Sequence, residues 1–480
     1  MDTLEEMYEI KETCDFIKNN HFNKVALQFP DDLLVDSVQM ASKIERETGA
    51  KLYILGDTSY GSCCVDEVAA EHVGAQCIIH YGRACLSPSR RLPLMYAFGK
   101  GPVDLQKCVS SFHDLYPDRQ SNIIILYDVI YYHVIDDLLD ILSPQYPNVV
   151  ISTLHVDGNQ CYVMRSIHGL HIDSGGTLKH SHQDGHKSIH KFGREFRLKE
   201  GYKVEDYSMF YIGQEGATLT SFMMTWNQCF FSSFDPVTTV WRKETVNINR
   251  ALMKRYYLIE KAKDAGVVGI LVGTLGVANY LTIIDQLKDT IRKAGKKSYM
   301  FAMGKLNVPK LANFLEIDIY VLVACSESSL LDSSEFYRPV VTPFEMEVAC
   351  NKHQEWAEQY VTDFRDLLPG ACNHVNFPSP EADENGEEVD VSLITGALRS
   401  TYFSSSLPVD CKYDTTVVQR NQTLTVAHNN TAASFLQGRT WQGLEQKLGK
   451  TPVVKAVEGR RGIAIAYEEE GKKPMPMKRN

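Results

Sequence analysis

The sequence predicts an α/β protein built from three related, doubly wound parallel-sheet domains around a central crevice, with an irregular C-terminal extension. Three observations carry this prediction. Short apolar runs alternate with longer amphipathic stretches over the first 370 or so residues, the pattern of βαβ units. Turns containing glycine and serine follow several of those runs, where open α/β sheets place their binding sites. Beyond about residue 370 the alternation stops and polar, acidic sequence takes over.

The first domain is predicted over 1–118. A helix over 5–19 leads to the strand KVALQFP, the amphipathic helix LLVDSVQMASKIERETG, the strand KLYILG, a helix over 65–73 and the strand AQCIIHYG. The second, over 119–240, starts with the strand SNIIILYD, a helix over 135–142 and the strand NVVIST. Residues 156–206 then read as irregular before DYSMFYIGQEG resumes a strand and turn. The third, over 241–370, opens with the long basic helix ETVNINRALMKRYYLIEKAKDAG. The strand VVGILVGTLG, helix YLTIIDQLKDTIRKAG, strand KSYMFAMG, helix VPKLANFL and strand IDIYVLVAC follow. In 371–480, SPEADENGEEVD reads as an acidic linker, 400–432 as irregular, and the last segments as a tail that docks on the body.

Composition narrows the function. A net charge of −10 argues against a general nucleic-acid binder. Apolar runs all fall short of the roughly 20 residues that cross a bilayer. The acidic, helix-like start, MDTLEEMYEIKETCDFIKNN, resembles neither a signal nor a transit peptide, so a cytoplasmic location is expected. Twelve cysteines in 480 residues are too sparse for a disulfide framework. The sequons at Asn421 and Asn429 then count as chance matches.

The cysteines carry the strongest chemical signal. Cys63 and Cys64 close KLYILGDTSYGSCC, Cys85 closes QCIIHYGRAC and Cys325 closes IDIYVLVAC. Strand ends from distant segments thus deliver thiols to one crevice, which suits a soft metal or an iron–sulfur cluster. The bland alternative, cysteine as a small buried hydrophobe, fits Cys14, Cys77 and Cys108 in apolar helix or strand patterns. Cys161, Cys229, Cys350, Cys372 and Cys411 lack a strand-end setting. The absence of CxxC pairs argues against a zinc ribbon.

Other motifs are weaker. Histidines 168, 171, 180, 182, 186 and 190 fit no ligand spacing and read as a solvated loop. GILVGTLG lacks the residues of a phosphate loop and reads as a tight turn at the crevice, with Gly273, Thr274 and Gly276 presenting backbone amides. Hydrolase motifs are missing.

VALQFPDDLLVDS, LGDTSYGSCCVDEVAAEH, GAQCIIHYGRACLSP, GILVGTLGVANY, KSYMFAMGKLNVPKLANF and IDIYVLVAC together closely resemble the diphthamide synthesis proteins. DVSLITGALR, AASFLQGRTWQGLE and GRRGIAIAYEEEG are similar to the eukaryotic second-subunit branch of that family. The likeness covers most of the chain and is weakest in the histidine-rich insert and over 400–430.

The resemblance implies a three-domain protein holding a [4Fe–4S] cluster, in a heterodimer with the first diphthamide synthesis subunit. It implies radical cleavage of S-adenosylmethionine and transfer of its 3-amino-3-carboxypropyl group to a histidine of translation elongation factor 2. A small reduced iron protein is the implied electron donor. Mapped onto this chain, the implied ligands are Cys64, Cys85 and Cys325, with no cysteine from the middle domain. Cys63 is the fallback for Cys64, because neighbours on an extended segment point to opposite sides. The expected role is a supporting one, keeping the catalytic partner's cluster reduced. The competing expectations are a non-redox scaffold that docks elongation factor 2 and a structural zinc site.

Overall fold

The computed structural model describes residues 3–56, 62–88, 91–155, 161–163, 188–303, 305–356, 359–377, 390–396, 398–399, 462–463 and 466–467. Most of the histidine-rich insert, the acidic linker and 400–461 therefore lie outside the described residues. The chain divides into a large unit, Met1–Val418, and a small one, Gln419–Asn480. In the small unit, Gly462–Ile463 pairs antiparallel with Ala466–Tyr467.

Three parallel sheets organise the large unit, and they share one topology. The first runs Lys51–Leu55, Lys24–Gln28, Cys77–Tyr81, Leu94–Ala97 and Cys161–Val163. The second runs Val149–Ile151, Ile123–Tyr127, Ser208–Ile212, Phe231–Asp235 and an antiparallel edge, Val240–Lys243. The third runs Lys297–Ala302, Val267–Val272, Ile319–Val323 and Val340–Val341. Numbered along the chain within each sheet, the spatial order begins second, first, third, fourth every time. The winding direction therefore reverses between the first and third strands of each sheet, and this switch point opens a crevice at the carboxyl ends.

Alternation of side chains explains the layers. In the first sheet Ala26 and Ile78 face a core with Ala70 and Phe112. Val25, Leu27 and Ile79 face the opposite core, with Phe16, Met40 and Ile44. Ile123, Ile125 and Tyr127 of the second sheet join the Phe112 core, so these two sheets share one apolar layer.

Local chemistry sets the element ends. The helix expected over 5–19 breaks into Thr3–Met7 and Ile10–Asn19, because buried Glu9 takes a left-handed conformation at φ 51° and accepts a hydrogen bond from Tyr132. After Pro30, a 3-10 turn over Asp31–Asp36 precedes the helix Ser37–Thr48, which Gly49 ends at φ 71°. The sequence reading missed the strand Leu94–Ala97 and the helices Leu105–Leu115, Ala217–Thr225 and Pro343–Cys350. The region read as irregular contains two antiparallel strands, Ser188–Lys191 and Arg194–Arg197. His190 lies on the first of them, 3.8 Å from Glu195, and is not in a loop; the other five histidines lie outside the described residues. Strands Asp390–Val391 and Leu398–Arg399 are tied to the helix Thr245–Asp264 through Ser392 and Arg399, which bond to Asp264 at 2.7 and 2.6 Å.

Candidate metal centre

The sulfur atoms of Cys63, Cys64, Cys85 and Cys325 all lie within 4.8 Å of one another. Cys63 and Cys325 approach to 3.7 Å, and Cys85 and Cys64 to 3.8 Å. The two sheets reach this point from different parts of the chain. Cys64 follows the edge strand Lys51–Leu55, Cys85 follows Cys77–Tyr81, and Cys325 follows Ile319–Val323. Cys64, Cys85 and Cys325 are buried and Cys63 is half-buried.

The strand between the first two loops holds them together. Gln28, at its carboxyl end and fully buried, donates its side-chain amide to the Cys64 carbonyl at 2.7 Å. Its amide oxygen accepts the Asp66 N–H at 2.9 Å. Asp66 in turn accepts from the Ala69 N–H and so caps the helix Glu67–His72. The Cys85 N–H donates to the Cys63 carbonyl at 3.0 Å, closing the two cysteine loops against each other. Gly82, at φ 76°, makes the turn after the strand, where a side chain would collide with Leu33 and Pro30.

The third sheet contributes more than a thiol. Gly276, in the turn that follows Val267–Val272, packs so closely that a Cβ there would lie 2.4 Å from the Val65 carbonyl oxygen. The GTLG run is therefore a contact between the loop of one sheet and the cysteine loop of another. The strand-end loop of the second sheet at the equivalent place, after Ile212, reads Gly213-Gln214-Glu215 and supplies no thiol. Helix Ala217–Thr225 from that sheet reaches the site instead: Ser221 donates to the Ser326 carbonyl at 3.1 Å and Thr218 to Glu327 at 2.6 Å.

Sequence reasoning expected that only one of Cys63 and Cys64 could face the site. Residues 62–64 form a turn, not an extended strand, so the alternation of sides does not apply and both sulfurs point inward. Cys14, Cys77 and Cys108 are buried apart from the site, with thiols pushed up to about 12 by burial. Cys229 and Cys350 are also buried, Cys372 is exposed, and Cys411 lies outside the described residues. Cys161 lies on the edge strand of the first sheet, paired with Leu94.

Electrostatics fits a cation. Hydrogen bonds from Cys63, then Cys64 and Cys85, hold the Cys325 thiol well below its ordinary range. Those bonds to Cys325 push the Cys63 and Cys64 thiols well above theirs. Charge is thus favoured on Cys325 and disfavoured on Cys63 and Cys64, because close like charges do not ionise together without a compensating cation. The donor set is all thiolate, which suits iron–sulfur clusters and zinc alike. Contacts of 3.7–3.8 Å match the edge of a tetrahedron around one ion, about 3.8 Å for metal–sulfur bonds of about 2.3 Å. A four-iron cubane binds each thiolate to a different iron, so it would hold these loops further apart than they stand here.

Two residues without a local sequence signal adjoin the centre. A small cleft beside Cys85 and Ser326 is lined by Arg194 and Glu327. Arg194 is buried, donates to the Tyr127 carbonyl and lies over the Tyr127 and Phe222 rings, each 5.2 Å away. Its Nε and Nη1 find no partner among the described residues. Burial raises the Glu327 carboxyl to about 7.

Comparison with known proteins places the chain. The profile of a family described as a diphthamide synthesis protein matches residues 29–361. The 2-(3-amino-3-carboxypropyl)histidine synthase subunit 2 of Danio rerio is 68% identical over 466 residues, covering 97% of this chain and 92% of that protein. The Homo sapiens protein of the same name is 39% identical over 486 residues, covering 98% and 94%. The crystal structure of Dph2 from Pyrococcus horikoshii with a 4Fe-4S cluster superposes with a TM-score of 0.55 at 19% identity, covering 78% of this chain and 97% of that one, which is a likeness of fold. The chain belongs to the diphthamide synthesis protein family.

Proposed function

We propose that this member of the family is the iron–sulfur subunit of a two-chain synthase. The complete enzyme would transfer the 3-amino-3-carboxypropyl group of S-adenosylmethionine to a histidine of translation elongation factor 2. Its partner would be the first diphthamide synthesis subunit, and a small reduced iron protein would supply electrons. The observation that carries this reading is the meeting of four thiols, from two sheets, at one largely buried point.

In this reading Cys64, Cys85 and Cys325 hold a [4Fe–4S] cluster, whose chemistry is one-electron transfer. The chain's own residues would do the rest. Gln28 fixes the Cys64 carbonyl and the loop that presents the sulfur. The Cys85 N–H bond to Cys63 keeps the two loops in register. Val277, buried in the same apolar cluster as Cys64, Cys85 and Cys325, would help keep water from the centre. The role would be to help keep the partner's cluster reduced, with carbon–sulfur cleavage left to the partner.

The test uses heterodimers in which one subunit alone carries the triple Cys→Ala change. Turnover with a strong chemical reductant should persist when this chain is changed, and turnover driven by the protein donor should fall. Loss of both only when this chain is changed would make it the catalytic subunit. The sulfur contacts of 3.7–3.8 Å favour one second reading, a structural zinc site. Iron, sulfide and zinc analysis of anaerobically purified protein separates the two.

A further inference from the structure

We infer that the outward face of the helix Thr245–Asp264 is where the other chain of the synthase docks, through an amphipathic helix with acidic flanks. The inference rests on the two-chain reading above and adds the surface. Eight of the 21 large apolar side chains exposed among the described residues fall within 230–257, so apolar exposure is concentrated there. A concentration of this kind on a soluble surface marks an interaction site.

The helix is apolar on two sides. Ile248, Ile259 and Ala262 are buried, and beside them buried Arg255 meets buried Glu345 at 2.6 Å, which fixes the helix on Pro343–Cys350. With about 100° of rotation per residue, Val246, Arg250, Met253 and Tyr257 lie on the opposite side. Val246 is 67% exposed, Met253 73% and Tyr257 48%, so this second stripe has no cover among the described residues. Its spacing of four, three and four residues is that of a seam that packs against a second helix.

Charge selects the occupant. Arg250, in the middle of the seam, has no carboxylate partner among the described residues. Lys261 lies over the Tyr257 ring at 4.8 Å. Between Thr245 and Lys263 the one acid is Glu260, which is buried and paired with Lys263 and Arg399. A second copy of this chain would set cations against cations, whereas an acidic helix from a different chain gives Arg250 and Lys261 their partners.

The experiment measures binding of the anaerobically purified full chain to the first diphthamide synthesis subunit by sedimentation velocity, at low and high salt. Met253→Glu should weaken binding by about tenfold or more, as expected for an apolar anchor. Arg250→Gln should weaken it at low salt and flatten its salt dependence. Val35→Glu, at an apolar residue 89% exposed on the first domain, should bind as wild type does. Unchanged binding by both helix variants overturns the inference, and so does an equal loss in Val35→Glu. Each isolated variant should unfold in urea at the wild-type midpoint. A destabilised Met253→Glu chain would show that this chain covers its own helix, which also overturns the inference. If the wild-type chain does not bind that subunit at all, the two-chain reading falls first, and this inference with it.

Discussion

Gln28 and Cys64 are joined by a buried hydrogen bond of 2.7 Å, from the side-chain amide of one to the carbonyl of the other. The bond runs from the carboxyl end of a central strand to the loop of its neighbour, so one residue links the sheet to the metal centre. Gln28→Leu leaves the Cys64 carbonyl and the Asp66 N–H without their partner, which costs about 1–3 kcal/mol for such a buried pair. Urea unfolding should show that loss, and iron per chain should fall with it.

Gly276 touches the same loop from the third sheet. Gly276→Ala would push a methyl to 2.4 Å from the Val65 carbonyl and force the cysteine loop or the turn to move. Overpacking of this kind costs about 1–3 kcal/mol. Gly266→Ala is the control, because its methyl would meet its nearest neighbour at an ordinary 3.6 Å. Only the first variant should lose both stability and bound iron.

His80 gives the stability a pH dependence. It is fully buried, donates its Nε2–H to the Arg83 carbonyl at 3.0 Å, and burial lowers it from 6.5 to about 4. Between those values the unfolded chain binds a proton that the folded chain refuses. Its contribution is complete above pH 6.5 and is lost as the pH falls through about 4, an effect on the order of 3 kcal/mol. The difference in unfolding free energy between wild type and His80→Gln should shrink by about that amount from pH 7 to pH 4.

Glu347 acts in the opposite sense. Burial raises its carboxyl from 4.5 to about 7, against the Gln286 amide that donates to it at 2.6 Å. The protonated form suits the folded state, so this contribution is complete below pH 4.5 and is lost as the pH rises through about 7. Glu347→Gln should therefore be more stable relative to wild type at pH 8 than at pH 5, by roughly 3 kcal/mol. Thermal unfolding at the two pH values measures it.

Cysteine position, not cysteine number, should govern iron binding. Cys325→Ala removes a sulfur that lies 3.7 Å from another and should reduce iron per chain severely. Cys108→Ala removes a buried thiol inside the helix Leu105–Leu115 and should change stability alone. Equal iron loss in both would show that the cysteines act through folding.

Much of the architecture was legible because its signals are local. The strands Ile123–Tyr127, Val267–Val272 and Ile319–Val323 are continuous apolar runs, and the helices Ile135–Leu142 and Tyr280–Lys293 repeat apolar residues at helical spacing. Leu94–Ala97 is only four residues long and directly follows Pro93, which left too little pattern to read. Arg194 and Glu327 were invisible as neighbours because 133 positions separate residues that only folding brings to one cleft. The choice of Cys64 with Cys63 as its fallback assumed an extended backbone, whereas residues 62–64 form a turn and both sulfurs lie in the four-thiol group.

By itself the sequence determined the repeating α/β pattern and the strand-end cysteines, since both follow from hydrophobic periodicity and the placement of turns. The tertiary structure alone decided that Cys63 joins Cys64, Cys85 and Cys325, and that Gly276 and Gln28 hold their loops. The physical reason is range. Periodicity reports which face a residue takes within its own strand or helix, whereas thiols within 4.8 Å depend on how separate sheets stack at their switch points.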